Sequence, residues 1–350
     1  MNLSIIVPVY NMASGDKLKH CIDSLLNQDI TQYEIIAVDD ASTDNSLEVL
    51  RQYEKDFGGV VKVVASPVNQ KQGGAKNRGL EVATGDWVGF VDSDDWVHPD
   101  MYKMLLRKAA ETGADFVGCD YNRVTQYTFE VGEVIENNSD DQTGDLDLSR
   151  HKKHIVKPGS MVVKIYKRSV IEDNHLRFPE GIFYEDNMAA PIWSMYFTHF
   201  ERVPEPYYYY YTVPSSTTQV VTWDRCLDRM KAAELMIEAA KDNGSYNTYM
   251  TAIDYNFTKT FYLNTLWSYM LNGGEDKNIK NIKALKAGIL KYVPDFRGND
   301  YYRAYTSEED QKLVNMHLKS DLVFFNYFNM LFGYRELKKN KNKKGEESDE

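Results

Sequence analysis

Residues 3–11 read Leu-Ser-Ile-Ile-Val-Pro-Val-Tyr-Asn. The stretch from Leu3 to Val9 is short, apolar and nearly continuous, which is typical of a strand buried on both faces. Similar runs recur at 35–38, 60–64, 87–91 and 116–119, and segments with helical spacing separate them. This alternation predicts an α/β fold with a mostly parallel sheet flanked by helices.

The composition of the chain excludes several classes of protein. The 350 residues are 43% hydrophobic, enough for a sizeable core, and the net charge of −11 argues against tight, sequence-independent nucleic-acid binding. Cys21, Cys119 and Cys226 match neither a zinc spacing nor a disulfide framework, so they predict reduced thiols in a cytoplasmic protein. No apolar run approaches the length of a signal peptide or a membrane span, so neither is expected.

The chain divides into regions of different composition. We predict an α/β domain over 1–222, with halves at 1–120 and 121–222, then a helical C-terminal region over 223–337 and a charged, disordered tail over 338–350. Residues 126–150 are polar and acid-rich, and they predict an extended or mobile segment.

Polar side chains follow the predicted strands. In open parallel sheets, ligands bind beyond the carboxyl ends of the strands, where the strand order reverses. The first, second and fourth strands end in such residues, so we expect them to share one edge of the sheet. They are Pro8, Tyr10, Asn11, Asp39, Asp40, Asp92, Asp94 and Asp95.

The carboxylates of Asp92, Asp94 and Asp95 lie within four residues, and they would repel one another in a partly buried site. Mg²⁺ and Mn²⁺ prefer oxygen ligands and would relieve this repulsion, because a bound metal can bridge a diphosphate and stabilise its departure. The alternative is an acidic turn that caps the helix near Pro99. The position directly after a buried strand favours the metal.

Two further segments could contact an anionic ligand. Gly73 and Gly74 precede a predicted helix that carries Lys76 and Arg78, and helix N-termini favour anions. The pattern matches neither a P-loop nor a GxGxxG turn. At the second strand we expect Asp44 to cap a helix and Asp40 to face the ligand.

Four blocks of the sequence resemble family 2 glycosyltransferases in order and spacing. The quoted blocks are Leu3-Ser-Ile-Ile-Val-Pro-Val-Tyr-Asn11, Glu34-Ile-Ile-Ala-Val-Asp-Asp-Ala-Ser-Thr-Asp44, Gly74-Ala-Lys-Asn-Arg-Gly79 and Val91-Asp-Ser-Asp-Asp-Trp96; Tyr184-Glu-Asp186 is similar to the family's downstream acidic motif. The resemblance thins after about residue 220.

The resemblance implies a GT-A nucleotide-diphospho-sugar transferase fold for 1–222, with 1–120 as its nucleotide-sugar-binding half and 121–222 on the acceptor side. It implies an inverting transfer from a UDP-sugar to a glycan or lipid-linked glycan, with Mn²⁺ or Mg²⁺. The residues that it assigns to donor binding are Pro8, Tyr10, Asn11, Asp39, Asp40, Gly74, Lys76, Asn77, Asp92 and Asp94. Asp92 and Asp94 match the DxD motif, and Asp95 completes the metal cluster.

The same resemblance makes Asp186 the general base. Glu185 and Asp186 are adjacent, so only one of them can point into a site, and Glu185 is expected to order the acceptor or a loop. The alternative for this pair is a favourable charge at a helix N-terminus. The chain departs from the family at two positions. Lys76 stands where many relatives have an arginine, and Thr212 follows the tyrosine run 207–211, where many relatives have an arginine that could contact phosphate. The hydroxyl groups of residues 215–217 are polar contacts that remain available after this run.

The last part of the chain places an apolar stretch, 322–332, before a basic cluster at 335–344. Such a helix can lie on an anionic membrane, which predicts a peripheral contact through 322–344 at the inner face; the alternative is a buried helix with a disordered tail. Two other functions stay open: a phosphotransferase of the haloacid dehalogenase type, whose nucleophilic aspartate is missing after strand one, and a non-catalytic nucleotide-sugar-binding partner of another transferase.

Overall fold

The computed structural model describes residues 2–212, 221–274 and 277–346, with side chains up to residue 333. The chain divides into two compact units. One comprises Met1–Ser216 and Leu235–Tyr246, and the other comprises Thr217–Glu234 and Asn247–Glu350. The predicted division at residue 222 stays a prediction, as does the tail over 338–350, of which 347–350 lie outside the described residues.

A mixed sheet forms the centre of the first unit, with strand order β3-β2-β1-β4-β9-β6-β10-β5 and with β7 on β6 and β8 on β10. Strands β1 to β4 pair in parallel, as do β6 and β10, whereas β9 is antiparallel to both of its neighbours. The strands are β1 Leu3–Val9, β2 Tyr33–Asp39, β3 Val61–Ala65, β4 Trp87–Phe90, β5 Trp96–Val97, β6 Phe116–Val124, β7 Glu133–Ile135, β8 Gly144–Asp145, β9 Lys164–Lys167 and β10 His199–Tyr211.

Helices cover this sheet and form most of the second unit. In the first unit they are α1 Lys17–Leu26, α2 Ser46–Phe57, α3 Lys71–Val82, α4 Met101–Thr112, α5 Leu148–Val156, α6 Arg168–Asp173 and α7 Asp186–Trp193. Beyond them lie α8 Trp223–Asp242, α9 Tyr246–Phe257, α10 Thr265–Asn272, α11 Ile279–Tyr292, α12 Asp300–Tyr305, α13 Glu308–Lys319 and α14 Asp321–Glu346, with a π-helical segment at Thr258–Asn264.

The buried core confirms that these apolar runs form strands inside the sheet. All seven residues of β1 are buried, and so are all four of β4, because β1 lies between β2 and β4 with helices on both faces. The three cysteines are buried free thiols, as predicted. In the described part of the chain, no helix is long and apolar enough to cross a membrane.

Two predictions of local structure are wrong. Helix α3 begins at Lys71 rather than Ala75, so Gly73 and Gly74 lie inside its first turns. Residues 126–150 are not simply extended. They contain β7, a short helix at Asp140–Gln142 whose capping box joins Ser139 and Gln142, β8 and the start of α5. These local caps order a polar sequence that lacks an apolar period.

Candidate active site

The strand order brings the predicted residues to one edge of the sheet. The chain runs outward from β1 through β2 to β3 and then returns to pair β4 on the other side of β1. The switch in strand order therefore lies between β1 and β4. Tyr10, 47% exposed, Asp39 and Asp92 follow the ends of β1, β2 and β4, and Pro8 is buried within β1. This edge is where a ligand would bind.

The loops at this edge hold an unusual backbone conformation. Asn11, Ala41, Lys71 and Tyr184 have φ values of 53°, 56°, 62° and 65° without being glycines. Each such residue costs roughly 1–3 kcal/mol and tends to occur at functional sites. The Asn11 side chain accepts hydrogen bonds from the backbone and hydroxyl of Thr43, so it joins the loops after β1 and β2 rather than pointing freely outward.

Asp39 and Asp40 have different surroundings, although each is only 2% exposed. Both carboxylate oxygens of Asp40 accept the backbone N–H of Gln70, at 2.9 and 3.1 Å, so Asp40 caps the start of α3. In Asp39, Oδ2 accepts the N–H of Ser42, whereas Oδ1 is buried without a hydrogen-bond partner among the described residues. Asp39 therefore has the unpaired acceptor, and the role of Asp40 in facing the ligand stays a prediction.

Strand β10 fixes the acidic loop after β4. The Tyr208 hydroxyl donates to Asp95 Oδ2 at 2.6 Å and accepts the N–H of Asp92 at 3.2 Å. The other Asp95 oxygen accepts the N–H of Tyr211 at 2.8 Å. Asp95 is 1% exposed, so its contacts give it a positioning role. Tyr208 was not among the predicted site residues, because its contact with the acidic loop depends on how β10 packs beside that loop.

Asp92 and Asp94 are the accessible carboxylates of this loop, since both are half-buried. Burial raises the pKa of Asp92 to about 7; Lys76 opposes that shift, and Asp94 adds to it. Asp92 Oδ1 is buried without a hydrogen-bond partner in the described chain. Burial raises the pKa of Asp94 as well. A cation bound by these two carboxylates would favour their charged forms.

The described residues contain no group of three or more His, Cys, Asp or Glu side chains arranged to hold a metal ion by themselves. Mg²⁺ commonly uses one or two carboxylates, with water and substrate phosphates in its remaining positions. The unpaired oxygen of Asp92 and the half-buried carboxylate of Asp94 suit that incomplete arrangement. The residues present therefore fit a metal that is bound together with a diphosphate.

A buried ion pair lies beside the acidic loop. Lys76 Nζ donates to Glu185 Oε1 at 2.6 Å, and the two side chains are 3% and 5% exposed. Burial alone would lower the pKa of Lys76, but Glu185 and Asp92 raise it to about 12. Asp186 keeps an exposed surface, yet the protein atoms around it raise its pKa to about 6, and Glu185 adds to that shift.

Helix α3 holds Lys76 beside Glu185 because the helix packs closely against the segment before α7. The Asn77 amide donates to the carbonyl of Phe178 and to Glu180, both at 2.9 Å, and accepts the N–H of Phe178. A Cβ atom at Gly73 would lie 2.0 Å from the Pro179 carbonyl oxygen, and one at Gly74 would lie 2.3 Å from Gln70 Cβ. Gly74 and Asn77 therefore contribute to this packing, and their role in donor binding stays a prediction.

An aromatic cluster borders the acidic loop. Trp96 stacks on Tyr209 with centroids 5.6 Å apart, and Tyr127 stacks on Tyr211 at 4.7 Å. Tyr127 remains 39% exposed. Its ring centroid lies 5.3 Å from that of Trp96, the residue directly after Asp95, so Tyr127 borders the acidic loop. Burial, Tyr211 and the charge of Asp94 raise the pKa of Tyr127 to about 12. The polar sequence around Tyr127 gave no periodic signal for it.

The fold and this strand-edge site define the class of the protein: a nucleotide-diphospho-sugar transferase domain of the GT-A fold. Residues 4–174 match the family described as Glycosyl transferase family 2, and the chain belongs to that family. The sequence-based identification is thereby confirmed. Residues 215–217, suggested as polar contacts, lie outside the described residues.

Named relatives and solved structures agree with this assignment. The chain is 36% identical over 193 residues to the uncharacterized glycosyltransferase YibD of Escherichia coli K12, covering 53% of this chain and 54% of that protein. It is 32% identical over 184 residues to the poly(ribitol-phosphate) beta-glucosyltransferase of Bacillus spizizenii, covering 52% and 27%. The chain thus spans about half the length, or less, of these curated relatives.

A solved structure is similar over nearly the whole chain. Staphylococcus aureus TarS 1–349 in complex with UDP-GlcNAc superposes with a TM-score of 0.68 and 21% identity, covering 96% of this chain and 92% of that one. At this identity the match shows the fold alone. It extends through the helical C-terminal region.

Proposed function

We propose that this chain transfers a sugar from a UDP-sugar to an acceptor hydroxyl of a bacterial-type surface glycan, with inversion and with the help of Mn²⁺ or Mg²⁺. The observation that carries the proposal is a pair of buried carboxylate oxygens, on Asp39 and Asp92, that have no hydrogen-bond partner among the described residues and lie at the ends of β2 and β4, on either side of β1. Buried polar atoms are normally satisfied, so such a pair indicates a missing ligand.

The donor would lie across these strand ends. Asp39 Oδ1 can accept a hydrogen bond from the uracil imide or from the ribose, and the exposed ring of Tyr10 can pack against the base. Asp92 and Asp94 would hold the metal against the diphosphate. When bound, that ion would neutralise the charge of the departing UDP.

Asp186 would take the proton from the acceptor hydroxyl. A single in-line displacement needs a base on the side opposite the leaving group, and a base is most effective when its pKa is not far below the working pH. The pKa of Asp186, raised to about 6, meets that condition while leaving the carboxylate ionised at neutral pH. Glu185 is neutralised by Lys76 and would position this loop.

The acceptor would reach Asp186 from the side of the aromatic cluster. The exposed ring of Tyr127 offers an apolar face for a sugar ring near the acidic loop. Relatives named for poly(ribitol-phosphate) transfer support a surface-polymer acceptor, and TarS in complex with UDP-GlcNAc supports a UDP-sugar donor.

A panel of UDP-sugars, assayed for UDP release with Mn²⁺ and with a chelator, tests the proposal. Asp186→Asn should lower kcat by about 10²- to 10⁴-fold while UDP still binds. The control is Asp23→Asn in helix α1, whose carboxylate accepts the Tyr53 hydroxyl and has no role in the proposed transfer. Full activity in Asp186→Asn would refute the base. UDP binding without turnover of any sugar in the wild type would instead favour the non-catalytic partner.

A further inference from the structure

The second unit carries a basic cleft that the proposed transfer does not use. The cleft has a volume of about 520 Å³ and lies between the start of α11 and the corner that joins α13 to α14. Four of its lining residues are lysines in a protein of net charge −11. They are Lys280, Lys283, Lys286 and Lys319.

Three of these four lysines carry a positive charge that no described carboxylate compensates. Lys286 is occupied, because its Nζ contacts Asp321 Oδ1 at 2.5 Å. Lys280, Lys283 and Lys319 are exposed, and no carboxylate in the described part of the chain forms an ion pair with them. Among the described residues that line the cleft, Asp321 is the one acidic residue, and Lys286 engages it. The cleft therefore favours an anion.

Apolar side chains emerge next to this charge. Leu322, which lines the cleft, is 60% exposed, and Val323 is 54% exposed. Tyr327 and Met330 follow Val323 at i+4 and i+7, the spacing of one helix face, and are 38% and 68% exposed. The opposite face of α14 is packed, since Phe324 and Phe328 contact Trp267. The exposed apolar face is thus separate from the core of the unit.

We propose that the lysine cleft and the outward face of α14 together bind the surface of an anionic bilayer. A soluble phosphate polymer would satisfy the lysines but would leave Leu322, Val323 and Met330 in water. A bilayer interface takes both, with phosphate headgroups at the lysines and the apolar side chains among the upper acyl carbons.

The sequence directly beyond the described side chains is basic as far as residue 344, before the chain ends in the acidic run 346–350. The helix α14 continues to Glu346, and residues 335–344 contain Arg335 and five lysines. A basic segment that continues an interfacial helix strengthens its attraction to anionic lipid. The sequence had suggested a contact through 322–344, and the cleft adds Lys319, directly before that segment, together with Lys280 and Lys283, which lie far from it in the sequence.

Co-sedimentation of the full chain with vesicles tests the proposal. The wild type should bind vesicles of phosphatidylcholine with about 30% phosphatidylglycerol, and should bind pure phosphatidylcholine weakly. Each lysine near an anionic surface strengthens binding about fivefold, so Lys280→Glu/Lys283→Glu/Lys319→Glu should weaken it by more than about tenfold. Val323→Asp/Met330→Asp should weaken it as well, and added salt should weaken it in every case.

The matched control is Lys55→Glu/Lys62→Glu/Lys108→Glu, which changes the net charge equally in the first unit. It should stay within about twofold of the wild type. Equal losses in both triple variants, or binding that neither the cleft nor the apolar variant weakens, would overturn the proposal. So would capture by soluble polyphosphate without vesicle binding, or burial of the α14 face in a dimer. UDP release, measured without membrane, shows that each variant is folded. If the proposed function is wrong, UDP release is absent from the wild type as well, while the vesicle-binding result still stands by itself.

Discussion

Replacing Lys76 with methionine should destabilise the protein strongly, because it leaves the charge of Glu185 buried. The two groups are 2.6 Å apart and at most 5% exposed. The pKa of Lys76 rises from 10.5 to about 12, which corresponds to about 2 kcal/mol in favour of the charged form. Breaking a buried pair costs about 3–5 kcal/mol. We therefore expect a loss of about 2–5 kcal/mol in the free energy of unfolding.

The sign of the pH dependence follows from the same pKa. Because the folded state raises it, the stabilisation is complete below the unfolded value of 10.5 and disappears as the pH rises through about 12. Near neutral pH the full effect should be present. Urea unfolding at that pH measures it directly.

A double-mutant cycle separates a structural role of the pair from phosphate binding. Lys76→Met/Glu185→Met removes both charges, so it should be more stable than Lys76→Met alone. Lys312→Met is the control, since its ion pair with Glu308 is 3.8 Å long and at least 79% exposed, and its unfolding should hardly change. Equal effects of Lys76→Met and Lys312→Met would refute the reasoning. Weaker UDP binding without any loss of stability would instead assign Lys76 to the donor.

Other substitutions test the core and the acceptor side. Lys164 donates to the Pro158 carbonyl, and burial lowers its pKa to about 7. The cost of burying the charged Lys164 is therefore complete below about pH 7 and disappears as the pH rises towards 10.5. Lys164→Met should stabilise the protein at neutral pH by about 1–3 kcal/mol and make its free energy of unfolding depend less on pH between 7 and 10.5. A destabilised variant whose unfolding free energy keeps the same pH dependence would contradict this reasoning. Tyr127→Ala should raise the KM for a glycan acceptor by about three- to tenfold and leave UDP-sugar hydrolysis unchanged. An unchanged KM would show that Tyr127 is not part of the acceptor site. The matched control is Tyr305→Ala, because Tyr305 is an exposed tyrosine of the second unit.

The sequence predicted the strands that build the site because their signals are local and strong. A nearly continuous apolar run at 3–9 can lie only in the centre of a sheet, and polar residues directly after such runs must reach its edge. This reasoning places Tyr10, Asp39 and Asp92 at one edge of the sheet from the sequence alone. The family motifs at those positions added the chemistry.

The partners of individual side chains could not be predicted in the same way. The capping of α3 by Asp40, the bond from Tyr208 to Asp95 and the Lys76–Glu185 pair join residues between 30 and 113 positions apart. Only the packing of β10 beside the acidic loop, and of α3 against the segment 178–185, decides which carboxylate is satisfied and which is left for a ligand. Without such contacts the sequence favoured Asp40 as the ligand-facing residue, and it could not show that Asp39 carries the unpaired oxygen.

The most direct test of the proposed site is the effect of Mn²⁺ on UDP affinity, measured by titration calorimetry for the wild type, Asp92→Asn and Asp94→Asn. For the wild type, Mn²⁺ should tighten UDP binding by about tenfold or more, and a chelator should reverse the gain. Each variant should bind UDP with almost no response to the metal, while uridine, which has no phosphate, should bind all three proteins alike. If Mn²⁺ strengthened UDP binding equally in the variants, the carboxylates after β4 would not hold the ion.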